Sequence, residues 1–508
     1  MMPSLQVGLF TAAMLPLYLA LRYPFFRLPL HIDTGFYVSN HTICTRRINL
    51  SKGWNAHFAA CSKVIPEFFY SVIYLIHGGE RFKFYSRLYY SLYSYGTAIL
   101  VGYAAYVLGG SSVLLYCVGL TTYCAISSEP HYGVYFESAE QFEVPFQVIG
   151  FLLIFQGVKT GDPSLVGVGF GLWVFDGFFI KLSSLLSSGI LLLGIGLLSP
   201  SSLLRVALAG MMGLGLYFVW VSMNGKTPVE LIKPLIGHEL YSGHRVTSRH
   251  YARRALEKGW FLWKLLTPLP VVPGLAVLGV AVLGDTMNLF LLYVLAVAAP
   301  YFFQAAQVWY YAIPILPPLA ISAAFGAAWL SHQGINGLAV ICFLGLVWLG
   351  VHMGQSYGRL WLRGLVSLNR YVWQPHGVSA AEKNLHLDEI APPLRRLVKG
   401  RRTFIFGAWN QAYVLLESSY DTALVSAAPW LDNVAPGWQT VLNEKFLKDA
   451  PDFLLDTDGY LDAEAIKQDV GLSYARIGPP DPQFRLFMVN GPTALEKTHL
   501  GCRPFVTH

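Results

Sequence analysis

The sequence predicts an all-α polytopic membrane bundle followed by a C-terminal soluble α/β domain. Of its 508 residues, 54% are hydrophobic and only 13% are charged. A soluble domain carries about 25% charged residues, so the chain has roughly half the charge needed to cover its surface, and a soluble enzyme is excluded. The aromatic content of 15% excludes a disordered chain as well. The mean hydropathy of +0.46 agrees with a membrane protein.

Apolar segments long enough to cross a bilayer begin near the N-terminus. The first, Leu5 to Leu21, lacks the basic region of a cleavable signal peptide and is interpreted as a retained span. Together with those that follow, it predicts a bundle of about 11 to 13 transmembrane helices. The further candidates are Tyr93–Leu108, Val113–Ile126, Val144–Phe155, Leu165–Ile180, Leu182–Leu198, Leu203–Val221, Leu262–Leu283, Met287–Phe303, Ala305–Leu330 and Leu338–Met353.

Three polar intervals interrupt these spans. The first external loop, residues 22–87, is too long for a turn, and its segment Ser62 to Ile76 mixes apolar and polar positions, which predicts helices lying in the membrane interface. The interval Ser127 to Gln141 is short and acidic. The interval Asn224 to Lys264 is rich in Arg, Lys and His. We therefore assign residues 1–357 to a transmembrane domain that includes the first loop.

The last part of the chain, residues 358–508, is predicted to be a linker and a soluble domain, because long apolar runs disappear and acidic residues accumulate. Short apolar runs alternate there with helical patterns, which indicates a small α/β layer domain. The predicted strands are Thr403–Phe406, Ala423–Ser426, Asp452–Leu455 and Arg485–Val489. The predicted helices are Asn410–Leu416 and Trp438–Leu447.

The number of spans also predicts the topology. With the N-terminus inside and an odd number of spans, the three polar intervals and the soluble domain all lie outside. The short loops on the opposite side then contain Lys159 and Arg205, in agreement with the positive-inside rule. The long basic loops run against that rule, but long loops are largely exempt from it.

The formal net charge of +7 is attributed to contact with anionic lipid head groups or phosphate, because basic residues cluster in loops beside the spans. Nucleic acid is therefore not expected as a partner. The six cysteines form no CxxC pair, which argues against a structural zinc site or a redox motif.

Asp33 follows the first span directly, where an ionisable side chain at the membrane boundary needs a partner or a task. Its carboxylate can accept a proton from a hydroxyl nucleophile, or hold a cation that neutralises phosphate. The alternative is a helix N-cap, where Asp is favoured. The position of Asp33 leaves both interpretations open.

Three motifs follow one another near the N-terminus: His31-Ile32-Asp33-Thr34-Gly35-Phe36-Tyr37, then Lys63-x-x-Pro66, then Ser86-Arg87-Leu88. Together they resemble the start of the GT-C membrane glycosyltransferases. The branch concerned is related to dolichyl-phosphate-mannose protein mannosyltransferases and to aminoarabinose-to-lipid A transferases. Asp33 and Tyr37 match the acidic motif of that branch. Thr34 stands where a second acid is common, and this departure counts against a metal ion bound by adjacent acids.

The likeness continues along the chain, and its weight lies in the shared order of the motifs. Glu140 stands at the acidic position before the fourth span, and Lys181 at the end of a glycine-containing span. Tyr310 and Tyr311 begin a helix similar to the Y-x-x-P-x-x-P helix of the family, without the Arg that precedes it there. Phe404-Ile405-Phe406-Gly407 resembles the exported tail domain.

The resemblance implies transfer of a sugar from a polyprenyl-phosphate donor to an acceptor hydroxyl at the outer face of a bacterial plasma membrane, with inversion. Asp33 would be the general base and Glu140 the second catalytic residue. Basic side chains would neutralise the departing lipid phosphate, so no cofactor is required, and a divalent metal stays open. The acceptor would be a lipid, a glycan or a protein. Residues implied in substrate binding are Tyr37, Lys63, Lys181, Arg249, Arg253 and Tyr311.

Several residues keep two interpretations. Glu137, Glu140 and Glu143 recur every three residues; they are either site residues that share a helix face or a solvated helix start. Arg249 and Arg253 meet either a donor phosphate or lipid head groups. Asp176, near Lys181, predicts either an internal ion pair or a site residue.

Two other functions remain open for the whole chain. One is a transporter or flippase for a lipid-linked sugar, because many spans with buried charge also describe carriers. Carriers often contain an internal repeat, and none is detected in the hydropathy of this sequence. The other is a non-catalytic assembly subunit that binds a partner through its soluble domain.

Overall fold

The structure is a computed structural model. It describes residues 3–23, 26, 30, 34, 37, 38, 64–128, 138–223, 256–260, 262, 271–303, 309–334, 378–407, 409, 411–418, 420, 426, 427, 438–457, 459, 461–477 and 484–490. The chain divides into two compact units. The first unit comprises Met1–Leu28, Arg87–Val219 and His244–Gln374, and the second comprises Pro29–Ser86, Trp220–Gly243 and Pro375–His508.

The first unit is helical throughout the residues that the structure describes. Its core is apolar and aromatic and includes Tyr18, Tyr123, Trp173 and Tyr293, all fully buried. Its helices are α1 (Pro3–Arg22), α2 (Val64–Leu108, from Arg87 onward), α3 (Val113–Ser128), α4 (Glu140–Thr160), α5 (Pro163–Phe179), α6 (Ser184–Leu198), α7 (Leu203–Met223), α8 (Val271–Ala281), α9 (Met287–Phe303) and α10 (Leu316–His332).

Hydropathy predicted most of these helices. Four described segments are long and apolar enough to cross a membrane: Leu5–Arg22, Glu140–Thr160, Pro200–Met223 and Tyr311–His332. Several shorter apolar helices accompany them. The fold class predicted from the sequence, a helical membrane bundle with a C-terminal α/β domain, is confirmed. The last predicted span, Leu338–Met353, lies outside the described residues.

The predicted span Ala305–Leu330 is divided. Within it, a 3₁₀ helix, Trp309–Ile315, contains Pro314 and leads into α10. Proline lacks the N–H that an α-helix interior needs, so α-helical hydrogen bonding begins only after this turn, where Pro317 and Pro318 are tolerated in the first positions of the helix. This break places Tyr311 ahead of α10 rather than within it.

Helices α4 and α5 are joined by a tight turn and pack closely against each other. Gly161 ends α4 in the left-handed conformation, and the Asp162 carboxylate accepts a hydrogen bond from the Ser164 N–H at the start of α5. Small residues allow the two backbones to approach. A Cβ atom added at Gly150 would lie 2.5 Å from Trp173 Cδ1 and 2.7 Å from the Gly169 carbonyl oxygen.

The second unit contains the first part of α2, as far as Ser86, together with the C-terminal residues. Helix α2 is kinked at Gly78, whose φ of 69° and ψ of 171° suit glycine. Phe68, Leu75 and Ile76 are exposed before the kink, as expected for a helix at a membrane interface.

The segment of α2 after the kink packs on the C-terminal part of the second unit. A Cβ atom at Gly79 would meet the Val414 carbonyl oxygen at 2.5 Å, so only glycine fits there. Lys83 forms an ion pair with Asp388. Arg395 lies 3.5 Å from a Glu417 carboxylate oxygen and 3.8 Å from one of Glu80.

The C-terminal part of the second unit is built around a five-stranded mixed sheet of order β2-β1-β3-β5-β4. β1 pairs in parallel with β2 and β3, and β5 pairs antiparallel with β3 and β4. The strands are β1 (Thr403–Phe406), β2 (Ser426–Ala427), β3 (Phe453–Asp456), β4 (Ser473–Ile477) and β5 (Arg485–Asn490). The helices are α11 (Val378–Val398), α12 (Gln411–Leu416), α13 (Trp438–Lys448) and α14 (Ala463–Val470).

Three of the predicted strands are present, some with shifted ends, and both predicted helices are present over their described residues. Of the predicted strand Ala423–Ser426, Ser426 lies in β2 and the other residues lie outside the described ones. Helices α11 and α14 and strand β4 were not predicted. Strand β4 shows mixed burial along its length, and its pairing with β5 defines it. The core of this sheet is aromatic, with Phe404, Tyr420 and Phe446 in mutual edge-to-face contact.

Candidate active site

Lys181 lies in the short connection between α5 and α6, and its backbone is fixed on both sides. The Lys181 N–H donates to the Asp176 carbonyl oxygen at 3.1 Å, and its own carbonyl oxygen accepts from the Ser184 N–H at 2.9 Å. The end of α5 and the start of α6 therefore set the direction in which the Lys181 side chain leaves the backbone.

The Lys181 ammonium contacts an acid and an aromatic ring. Nζ lies 2.5 Å from Glu140 Oε1 and 3.9 Å from the centroid of the Tyr311 ring, within cation–π distance. Burial lowers the pKa of Lys181, but the Glu140 and Glu143 carboxylates and Tyr311 outweigh that effect and raise this pKa to about 12. Lys181 is therefore a cation at neutral pH.

Glu140 is the first residue of α4, where the helix dipole favours negative charge. Its side chain is 4% exposed, whereas that of Lys181 is 16% exposed. The lysine is thus the more accessible member of the pair, and an incoming anion would meet it first.

A second group of polar side chains lies beside this pair, fully inside the first unit. Glu143 Oε2 accepts hydrogen bonds from Ser184 Oγ at 2.5 Å and from Gln147 Nε2 at 3.1 Å. Gln147 Nε2 also donates to Asp176 Oδ2 at 2.9 Å. One amide nitrogen therefore connects a carboxyl group on α4 with a carboxyl group on α5.

The structure brings together three of the residues implicated by the sequence: Glu140, Lys181 and Tyr311. Tyr37 lies in the second unit, where its buried ring stacks on Tyr70 with a centroid distance of 5.7 Å. The remaining predicted site residues lie outside the described residues: Asp33, Lys63, Arg249 and Arg253.

One interpretation offered by the sequence is wrong. Lys181 pairs with Glu140 and not with Asp176, because the last turn of α5 engages the Asp176 carbonyl while its carboxyl group bonds to Gln147. Of the acidic triplet, Glu140 and Glu143 are buried rather than part of a solvated helix start, and Glu137 lies outside the described residues.

Sequence reasoning missed Gln147 and Ser184. Gln147 follows Glu143 by four residues on one helix face, and a polar residue inside an apolar span is a signal that was available. Ser184 gives no comparable signal, because serine is tolerated in membrane helices through bonds to its own backbone.

Across the described ranges, no group of three or more His, Cys, Asp or Glu side chains is arranged to hold a metal ion. The chemistry that the Lys181 cluster offers is that of a fixed ammonium between a carboxylate and an aromatic ring. Such a group binds a phosphate oxygen by charge-assisted hydrogen bonding.

No protein-family model matches the chain, and no curated protein matches its sequence. Two solved structures share its fold. ArnT from Cupriavidus metallidurans bound to undecaprenyl phosphate aligns with a TM-score of 0.61 at 15% identity, covering 96% of this chain and 98% of that one. The same protein in the apo state aligns with a TM-score of 0.56 at 13% identity, covering 95% of this chain and 98% of that one. The chain therefore shares the ArnT fold over nearly its whole length.

Proposed function

We propose that the protein is a membrane glycosyltransferase that moves a sugar from a polyprenyl-phosphate-linked donor to an acceptor hydroxyl. The observation that carries the proposal is the Lys181 cluster, in which a charged ammonium is held at the edge of an apolar bundle by Glu140 and Tyr311. The fold supports it, because ArnT, which has the same architecture, was crystallised with undecaprenyl phosphate.

An apolar cavity in the first unit supports a lipid-linked donor. It has a volume of about 360 Å³ and lies between α5, α6 and α7. Its lining includes Phe170, Val174, Leu192 and Val206. Phe178 also lines the cavity, and it precedes Lys181 by three residues in the chain. An isoprenoid chain in such a cavity is stabilised by removing its surface from polar surroundings, while its phosphate stays at the level of the lysine.

The reaction that we propose is a single displacement. The acceptor hydroxyl attacks the anomeric carbon and gives its proton to Asp33, and a new carbon–oxygen bond forms. The bond between the anomeric carbon and the phosphate oxygen breaks, and its electron pair stays on the phosphate. One displacement inverts the anomeric carbon. Lys181, assisted by Lys63, Arg249 and Arg253, stabilises the charge on the departing phosphate.

The remaining assignments follow from this reaction. Glu140 orients the acceptor or the lysine, and Tyr311 lines the substrate site. The transfer takes place at the outer face of a bacterial plasma membrane, and no cofactor is needed when cations screen the leaving group. The sugar acceptor is a lipid, a glycan or a protein of the cell envelope.

The test is a turnover assay. Purified protein in detergent is incubated with a panel of polyprenyl-phosphate sugars and acceptors, and the release of polyprenyl phosphate is followed. We expect Lys181→Met to lower kcat/KM by about 10²–10³, the usual cost of removing one group that stabilises a developing anion. Asp33→Asn should abolish most of the turnover, and a chelator should leave it unchanged.

Two matched variants serve as controls. Lys159→Met removes an exposed lysine at the other end of α4, and Asp162→Asn changes the carboxylate that caps α5; both should keep the activity of the parent protein. If no donor and acceptor pair releases polyprenyl phosphate, the glycosyltransferase proposal fails. That result would favour a transporter of a lipid-linked sugar or a non-catalytic assembly subunit. If Lys181→Met turns over like Lys159→Met, the lysine does not meet the phosphate.

A further inference from the structure

The cluster around Lys181 contains more acid than base. Glu140, Glu143 and Asp176 are 3%, 2% and 0% exposed, respectively, and among the described residues the cation of this cluster is Lys181, which pairs with Glu140. If all three carboxyl groups were ionised, this buried region would carry two uncompensated negative charges. Burying an unpaired carboxylate is costly enough that the group takes up a proton instead.

The hydrogen bonds show which carboxyl group is the better-stabilised anion. Glu143 Oε2 receives two donors, Ser184 Oγ and Gln147 Nε2. Ser184 is also the first residue of α6, where the helix dipole favours an anion. Asp176 receives one side-chain donor, Gln147 Nε2, on Oδ2. Hydrogen bonds to the charged form favour that form, so Glu143 is the natural anion of the two.

The oxygen atoms without partners point the same way. Within the described part of the chain, Glu143 Oε1, Gln147 Oε1 and Asp176 Oδ1 are buried without a hydrogen-bond partner. All three are acceptors, so the cluster lacks donors. A proton on Asp176 Oδ1 turns one of these acceptors into a donor and removes one negative charge in the same step.

We propose that Asp176 is a neutral carboxylic acid in the folded protein and that Glu143 is a second, ionised counter-ion of Lys181. Glu143 is then a positioning residue, since it acts through Lys181 and does not reach a substrate. In this arrangement Lys181 has two anionic neighbours and one neutral acid behind them. The network keeps Lys181 charged and holds its orientation even when Glu140 no longer contacts the ammonium.

This inference deepens the proposed function. When a donor phosphate draws Lys181 away from Glu140, Glu143 maintains the charge balance of the lysine, and a neutral Asp176 adds no repulsion toward the phosphate. Among the residues that the structure describes, the ionisable groups that face Asp176 are Glu143 on α4, Lys181 in the connection that follows α5, and Tyr93 on α2. Glu140 faces the same region through Lys181.

The first measurement needs no substrate. Infrared spectroscopy of the purified full chain detects the C=O stretch of a protonated carboxyl group. At neutral pH the difference spectrum between the parent protein and Asp176→Asn should contain such a band, and the difference between the parent and Asp162→Asn should not. If the Asp176→Asn difference shows only the bands of an ionised carboxylate, the proposal is overturned.

The second measurement is the pH dependence of thermal unfolding in detergent. A carboxyl group that is protonated when folded and ionised when unfolded makes the folded state bind the extra proton, so stability falls as the pH rises. From about pH 5 to about pH 8, the Tm of the parent protein should therefore fall relative to that of Asp176→Asn. A constant difference between the two over this range overturns the proposal.

The activity assay separates this inference from the proposed function. If the protein transfers sugar, Asp176→Asn should keep its neutral-pH turnover, because Asn resembles the protonated acid. Glu143→Gln should raise KM for the donor more than it lowers kcat, and Glu143→Asp should restore part of the loss. If no transfer is found at all, the proposed function fails while the infrared and unfolding results still decide the state of Asp176.

Discussion

At the scale of single residues, the position of Glu140 makes it a competitor for any anion that approaches Lys181. Glu140 Oε1 already accepts a hydrogen bond from Lys181 Nζ at 2.5 Å, although the two residues are 41 positions apart in the chain. A phosphate must displace this carboxylate or share the lysine with it. If the proposed function holds, we therefore expect Glu140 to weaken ground-state binding of the donor, even where it assists the reaction.

Glu140→Gln should separate these two effects. We expect the affinity for polyprenyl phosphate to rise by roughly threefold to tenfold, about 1 kcal/mol, because the competing charge is removed. Turnover should fall by about 10²-fold if the carboxylate also handles a proton or orients the acceptor. The measurements are equilibrium binding of polyprenyl phosphate and the release assay.

Glu464→Gln, at an exposed position in α14, is the control for both measurements and should match the parent protein. Weaker binding of polyprenyl phosphate by Glu140→Gln would contradict the competition, since it would mean that the carboxylate holds the lysine in its binding orientation.

The soluble domain contains a residue that links stability to acid. Asp449 forms ion pairs with Arg402 and, at 3.0 Å, with Lys445. Burial raises the pKa of Asp449, but the two cations outweigh that effect and lower this pKa below its usual value. An acid whose pKa is lowered by folding stabilises the fold above its unfolded pKa of about 4, and this stabilisation is lost as the pH falls through the folded value.

Asp449→Asn should accordingly destabilise the full chain by about 0.5–1 kcal/mol at neutral pH, a small value because the side chain is 37% exposed and water screens the pair. Near pH 3 the variant and the parent should unfold alike. Thermal unfolding at the two pH values measures this, with Asp469→Asn, an exposed acid of α14, as the unaffected control. An equal loss of stability at both pH values would assign the effect to packing.

The residue scale also shows where prediction from sequence stops. Each of three candidate site residues, Glu140, Lys181 and Tyr311, stands in a motif, so the sequence could point to them. It could not predict which acid pairs with Lys181. Asp176 is the nearer acid along the chain, but its carboxyl group bonds to Gln147 on α4. Distance along the chain is a poor guide here, because the packing of α4 against α5 determines which side chains lie next to Asp176.

At the scale of elements, that contact depends on glycine. Gly150 sits where α4 crosses α5, against Trp173 and the backbone of Gly169. The crossing fixes the separation of the two helices, and with it the bridge from Gln147 to Asp176. The site thus depends on the absence of a side chain at position 150, three residues after Gln147.

Gly150→Ala should therefore destabilise the protein by about 1–3 kcal/mol, the cost of overpacking a close contact. The same substitution at Gly189 in α6, where a Cβ atom meets nothing within 4 Å, should be neutral or stabilising by up to about 1 kcal/mol, because alanine is the better helix former. Thermal unfolding of the two variants makes the comparison. Equal Tm values for both variants would show that the crossing has room to relax.

Elements were predictable in proportion to their length and apolar character. Helices α6 and α9 begin and end close to the predicted residues, because a long apolar run has few alternatives in a membrane. Strand β4 was missed because its stability comes from the pairing with β5 and not from its own pattern.

At the scale of the whole molecule, counting spans predicts which loops share a side of the membrane. The prediction places the soluble domain outside and the α4–α5 turn inside. In a background without native cysteines, Lys467→Cys on α14 should react with an impermeant maleimide added to sealed right-side-out vesicles. Thr160→Cys, exposed at the end of α4, should react only after permeabilisation, and the reverse result would invert the topology.

The attachment of α2 to the C-terminal part of its unit has a consequence for biosynthesis. Lys83 and its partner Asp388 are 305 residues apart, and Gly79 packs against Val414 later still. A ribosome adds about 5–20 residues per second, so this helix emerges roughly 15–60 s before the surface that receives it. During translation the segment of α2 after the kink must stay at the lipid surface until its partners have been made. If a ribosome stalls before α11, this segment of the nascent chain has no surface to pack against.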